Sequence, residues 1–83
     1  MITHARHEAR NQWLTELAVT LRRARELAGL SQLQLAEQVG CDASTICNWE
    51  AGRRRPNLAT LFDVAVALNL DPGGLLPDVV SAR

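Results

Sequence analysis

Lysine and tyrosine are absent from this 83-residue sequence, and one phenylalanine, Phe62, joins two tryptophans as its whole aromatic content. Alanine and leucine dominate the 47% of residues that are hydrophobic. Strands are therefore poorly supported and helices well supported. No apolar run approaches the ~20 residues that a membrane-spanning helix needs, and no secretory segment precedes the domain. A cytoplasmic, nucleoid-associated location and no membrane partner are expected. Two cysteines, Cys41 and Cys47, are too few for a disulfide framework and read as packing thiols. A charge excess is missing as well: nine arginines balance nine acidic residues, so bulk charge gives no reason to expect nucleic acid. Neither a nucleophile elbow, a P-loop nor an HExxH pattern occurs, and the acidic residues are scattered over predicted helix surfaces, so neither an enzyme nor a cofactor is expected. His4 and His7 are three apart and could share a helix face, but with no third ligand nearby in sequence no metal site is expected.

What is present is a chain for one small all-α domain, long enough for a helical core that self-association would enlarge. It is organised around the stretch from Leu30 to Pro56, which reads as two short helices across a tight turn. Ser31 and Gln34 fit a capping box, Leu35, Ala36 and Val39 give the first of these helices one apolar face, and Gly40 ends it. Asp42 can cap the second helix, about 43–51. There Ile46 and Trp49 turn inward and leave Ser44, Cys47, Asn48 and Ala51 outward. A short helix with small polar side chains facing out, held across another by a tight turn, has the geometry that enters a DNA major groove.

Around this core, residues 1–7 form a flexible N-terminal tail, residues 8–77 the domain with its helix-turn-helix at 31–51, and residues 78–83 a C-terminal tail. From about Glu8 to Ala28, Trp13, Leu14, Leu17, Leu21, Ala24 and Ala28 recur at helical steps without proline or glycine, which predicts a long first helix ended by Gly29. After the basic turn Arg53-Arg54-Arg55-Pro56, Asn57 caps a fourth helix. Its core face is expected at Leu58, Leu61, Phe62, Ala65 and Leu68, with Asn69 as a left-handed C-cap. Asp71-Pro72 opens a fifth helix of about one turn through Leu76.

Gln32, Leu35-Ala36, Gly40, Ile46, Trp49-Glu50, Gly52 and Pro56 stand where the xenobiotic-response-element family, the lambda-repressor and Cro-like helix-turn-helix regulators, carries Ser-Gln-x-x-Leu-Ala-x-x-x-Gly and then Ile-x-x-Trp-Glu-x-Gly and Pro. The sequence resembles that family from about Leu21 to Leu76. The resemblance implies a five-helix lambda-repressor-like DNA-binding fold, here with an extended first helix that carries Trp13 and Leu14 on its surplus. It also implies that Gln32 holds a phosphate and braces a reading residue, and that Arg25 pairs with Glu50 to fix the reading helix. Dimer contacts in related regulators involve the last helix and its flanks, which makes Leu75, Leu76, Val79, Val80 and the surplus Trp13 the candidates here. Leu33 departs from the family, which tends to place a polar residue there.

Ala43, Ser44, Cys47 and Asn48 are the candidate base-reading residues. Asn48 leads because its amide can pair bidentately with adenine, while Ala43 offers a methyl to thymine. Thr45, Gln32, Arg53, Arg54 and Arg55 are candidates for phosphate or minor-groove contact. Arg22, Arg23, Arg25 and Arg53 to Arg55 lie between the first helix and the loop after the reading helix, so the basic residues cluster although the total is neutral. Two functions remain open. One is a homodimeric transcriptional regulator, a repressor or controller type, on a palindromic double-stranded operator. The other is a helix-turn-helix fold used to bind a protein, as an antitoxin or regulatory subunit. Salt-dependent duplex binding separates them.

Overall fold

The computed structural model describes residues 2–70, and these form four α-helices with no strand: α1 (Ile2–Leu27), α2 (Gln32–Val39), α3 (Ala43–Glu50) and α4 (Leu58–Ala67). The expected fifth helix at 72–76 and the tail at 78–83 lie outside the described residues. α1 starts at Ile2 rather than near Glu8, and so takes in residues that the sequence sets apart as a tail. Elongating an existing helix adds one hydrogen bond per residue fixed, and α1 contains neither proline nor glycine to stop it, so apolar periodicity is not needed for it to continue.

The two short helices begin and end where local chemistry places them. Ser31 Oγ accepts from the Gln34 N–H at 3.0 Å, and Gln34 Oε1 accepts from the Ser31 N–H at 2.8 Å, closing the capping box. Gly40 takes a left-handed φ of 87°, and the N–H groups of Gly40 and Cys41 both donate to the Ala36 carbonyl. Asp42 has the extended N-cap backbone at the head of α3, but its side chain makes no capping hydrogen bond, contrary to expectation. The Asp42 main-chain carbonyl instead receives the N–H groups of Thr45 and Ile46. α4 starts on Asn57, whose Oδ1 accepts from the Thr60 N–H at 2.8 Å, and ends before Asn69 at φ 58°.

The core joins Leu17 and Leu21 of α1, Leu35 and Ala36 of α2, Ile46 and Trp49 of α3, Leu61, Val64 and Ala65 of α4, and Leu68 at its C-cap. α2 packs against both α3 and α4, while α1 packs on α3. Full burial of one such leucine or isoleucine contributes roughly 1.5–3 kcal/mol, so α3 is held chiefly by Ile46 and Trp49. The inward face of α4 differs from the expected one. Val64 is fully buried, whereas Leu58 is 79% and Phe62 54% exposed. Leu61, Val64, Ala65 and Leu68 follow one helical stripe, and Phe62 lies about 100° around the axis from Leu61. Trp13 is half-buried against the core of its own chain, one turn before Leu17, and its indole N–H has no hydrogen-bond partner among the described residues. This intramolecular packing withdraws much of Trp13 from the dimer role expected of it.

Candidate nucleic-acid interface

With Ile46 and Trp49 anchored inward, the helical period turns the other side of α3 to solvent. Ser44 is exposed there and Cys47 and Asn48 are half-buried, while Ala43 and Thr45, also half-buried, flank the anchored face. Arg53, Arg54 and Arg55 are exposed beside this row. Together Thr45, Asn48, Trp49 and the three arginines line an open, mostly polar depression of about 680 Å³. The structure thus brings Asn48 and Cys47, of the four predicted base-reading residues, together with the basic turn.

Beneath that surface lies the ion pair that the family resemblance implied. Arg25 donates through Nε to Glu50 Oε2 at 2.6 Å and through Nη2 to Glu50 Oε1 at 2.9 Å. The two side chains are 10% and 5% exposed. A third bond, from Arg25 Nη1 to the Leu30 carbonyl at 2.7 Å, ties the end of α1 to the chain entering α2. Burial pushes the Glu50 carboxyl up, but the hydrogen bonds from Arg25 and Gln32, with the charges of Arg25 and Arg22, outweigh it and hold Glu50 below the usual glutamate range. The hydrogen bond to Glu50, against an opposing desolvation, raises Arg25 above the ordinary arginine value. The last residue of α3 is therefore bolted to α1 through a bidentate, satisfied pair.

Gln32 serves this network. Its Nε2 donates to Glu50 Oε1 at 3.1 Å, so that group is engaged inside the protein. Sequence reasoning missed this bond, as it missed the path of Arg53. Gly52 adopts φ 77°, a conformation open to glycine and costly for side chains with a Cβ. The chain then closes a Schellman turn: the Gly52 N–H donates to the Trp49 carbonyl at 3.1 Å and the Arg53 N–H to the Asn48 carbonyl at 2.9 Å. The turn carries Arg53 back over the outward face of α3. Its Nε donates to Asn48 Oδ1 at 2.9 Å, and its Nη2 lies 3.8 Å from Cys47 Sγ. The signal was present in the sequence, since a glycine two residues past Glu50 implies such a turn.

The other arginines do not join this surface as a block. Arg25 is neutralised inside, Arg22 pairs with Glu26 one turn along α1 at 3.2 Å, and Arg23 borders an apolar depression with Leu27, Leu68 and Leu70. The basic cluster expected from sequence is thus reduced to Arg53, Arg54 and Arg55. Both cysteines are free, and burial, followed by the charge of Asp42, pushes the Cys41 thiol up, as suits a packing residue against the core. Leu75, Leu76, Val79 and Val80 lie outside the described residues. Among the described residues no helix is long and apolar enough to cross a membrane, and no group of His, Cys, Asp and Glu is placed to hold a metal.

A helix-turn-helix family model, HTH_3, matches residues 21–75. Among solved structures the chain is similar to the restriction-modification controller protein C.AhdI from Aeromonas hydrophila, with a TM-score of 0.73 and 35% identity over 76% of this chain and 96% of that one. It is also similar to a hypothetical transcription factor, NHTF, from Neisseria, with a TM-score of 0.74 and 28% identity over 88% of each chain. An HTH_3 family transcriptional regulator from Vibrio cholerae gives 0.72 and 25% over 78% of this chain, which spans only 36% of that protein. No curated protein matches the chain.

Proposed function

The chain belongs to the HTH_3 family of helix-turn-helix proteins, and from that premise we propose that it is a dimeric transcriptional regulator that binds double-stranded DNA with α3 in the major groove. Its likeness to a restriction-modification controller along nearly the whole of that protein's length favours a regulator of the controller type. The observation that carries the proposal is the pairing of a small, polar outward face on α3 with three exposed arginines, on a helix whose last residue is fixed by a buried bidentate ion pair. A rigid helix presents its side chains in one register, which base readout requires. Ala43, Ser44, Cys47 and Asn48 face the bases in this reading, and Thr45, Arg54 and Arg55 meet phosphates.

The test is a titration of labelled duplex at several salt concentrations. The logarithm of the binding constant should fall linearly with the logarithm of salt, and replacing Arg54 and Arg55 with Gln should flatten the slope by up to about 0.9 for each phosphate that is no longer neutralised. Both specific and unrelated duplexes should weaken by similar factors. Binding that is absent, or insensitive to salt, would instead favour the protein-binding alternative.

A further inference from the structure

We infer that Arg53 is a base-reading residue specific for guanine and that Asn48 acts mainly as its brace. The inference rests on the DNA-binding reading above and assigns a base preference to one point of that surface. Arginine can only donate hydrogen bonds, so the atom of Asn48 that faces Arg53 Nε at 2.9 Å is the carbonyl oxygen on chemical grounds alone. Bidentate pairing with adenine needs both halves of the amide, Oδ1 to accept from N6 and Nδ2 to donate to N7. Here one of the two Oδ1 lone pairs is taken by Arg53 Nε, and that bond sets how the amide is turned. What the pair leaves free is mostly donors: the Asn48 Nδ2 hydrogens and the terminal guanidinium hydrogens of Arg53, apart from the weak contact of Nη2 to Cys47 Sγ, against one remaining lone pair on Oδ1.

Guanine is the base whose major-groove edge answers two donors with two acceptors, N7 and O6, whereas adenine offers one acceptor and one donor. The Schellman turn at Gly52 fixes the Arg53 backbone against the Asn48 carbonyl, and the side-chain bond then fixes the guanidinium above α3. An arginine braced in this way has less rotamer freedom to lose on binding. Arg54 and Arg55, next in the chain and equally exposed, have no such side-chain bond among the described residues, which makes Arg54 the natural comparison for a phosphate contact.

Sites selected from a random duplex pool by the wild type, Arg53→Gln, Asn48→Ala and Arg54→Gln decide the matter. Arg53 is exposed and Asn48 points away from the core, so all three variants should fold. The wild type should select a G·C pair at one position of each half-site, and Arg53→Gln should lower that preference on the order of 10- to 100-fold. Asn48→Ala should weaken it at the same base pair and by less, and Arg54→Gln should leave it intact. If Arg53→Gln lowers affinity for selected and random duplex equally and keeps the wild-type preference, Arg53 is a phosphate contact and the inference falls while DNA binding stands. An A·T preference that is lost in Asn48→Ala and kept in Arg53→Gln would also overturn it, making Asn48 an independent adenine reader. A wild type that binds no duplex would remove both this inference and the function beneath it.

Discussion

Arg25 and Glu50 show how one pair of residues, 25 positions apart, fastens the end of α3 to α1. Removing one partner of a buried, hydrogen-bonded ion pair leaves the other charge uncompensated. Arg25→Ala should therefore cost roughly 3 kcal/mol. Arg23→Ala, at an exposed position with no ion pair among the described residues, should change stability by less than about 0.5 kcal/mol. Equal denaturation midpoints would refute the structural role of the pair. A pH dependence follows from the same bonds. Because Glu50 is held below the ordinary value of 4.5 in the folded state, its contribution to stability is fully present above that value and is lost as pH falls through its folded pKa. Urea midpoints measured between pH 6 and pH 3 should fall more for the wild type than for Glu50→Gln, which has no carboxylate there to protonate.

At the scale of elements, the two helices of the motif differ in how they are capped, and their stabilities should differ accordingly. Ser31→Ala removes a formed side-chain cap and should cost about 1 kcal/mol. Asp42→Ala removes no such bond, only a charge near the α3 N-terminus worth about 0.3–0.5 kcal/mol. Chemical denaturation of the two variants compares them directly, and a larger loss at Asp42 would contradict the assigned geometry. Helix limits of this kind were readable because they depend on three or four neighbouring residues: Ser31 with Gln34, Gly40, Asn57 and Asn69 all act where the sequence placed them. The inward face of α4 was not readable in the same way. Its ten residues are nearly all apolar, so periodicity selects no side, and packing against α2 decides for Val64 over Phe62. The candidate site stands between these cases. The outward row on α3 follows from Ile46 and Trp49, whereas the bonds of Arg53 to Asn48 and of Gln32 to Glu50 depend on how elements meet in space.

For the whole molecule, zero net charge hides a division of labour. With Arg25 neutralised by Glu50 and Arg22 by Glu26, the basic turn at 53–55 is left to attract phosphates locally, without the long-range field of a strongly cationic protein. In the proposed function such a surface would hold DNA modestly, and an eight-residue helix would reach only a few base pairs, so one copy would be a poor discriminator. Two copies related by a two-fold axis would double both terms, and the molecule has apolar surface to join them. Leu58, Phe62 and Val66 are each more than half exposed and recur every four residues along α4, forming one uncovered stripe. We expect sedimentation at micromolar concentration to give a dimer, and footprinting to show two protected half-sites about 34 Å apart on one face of the duplex. Phe62→Asp should shift the protein toward monomer and leave its fold intact, since the side chain lies largely outside the core. A dimer unaffected by Phe62→Asp would move the interface to Leu75, Leu76, Val79 and Val80, and a monomer that protects a single asymmetric half-site would refute the dimer itself.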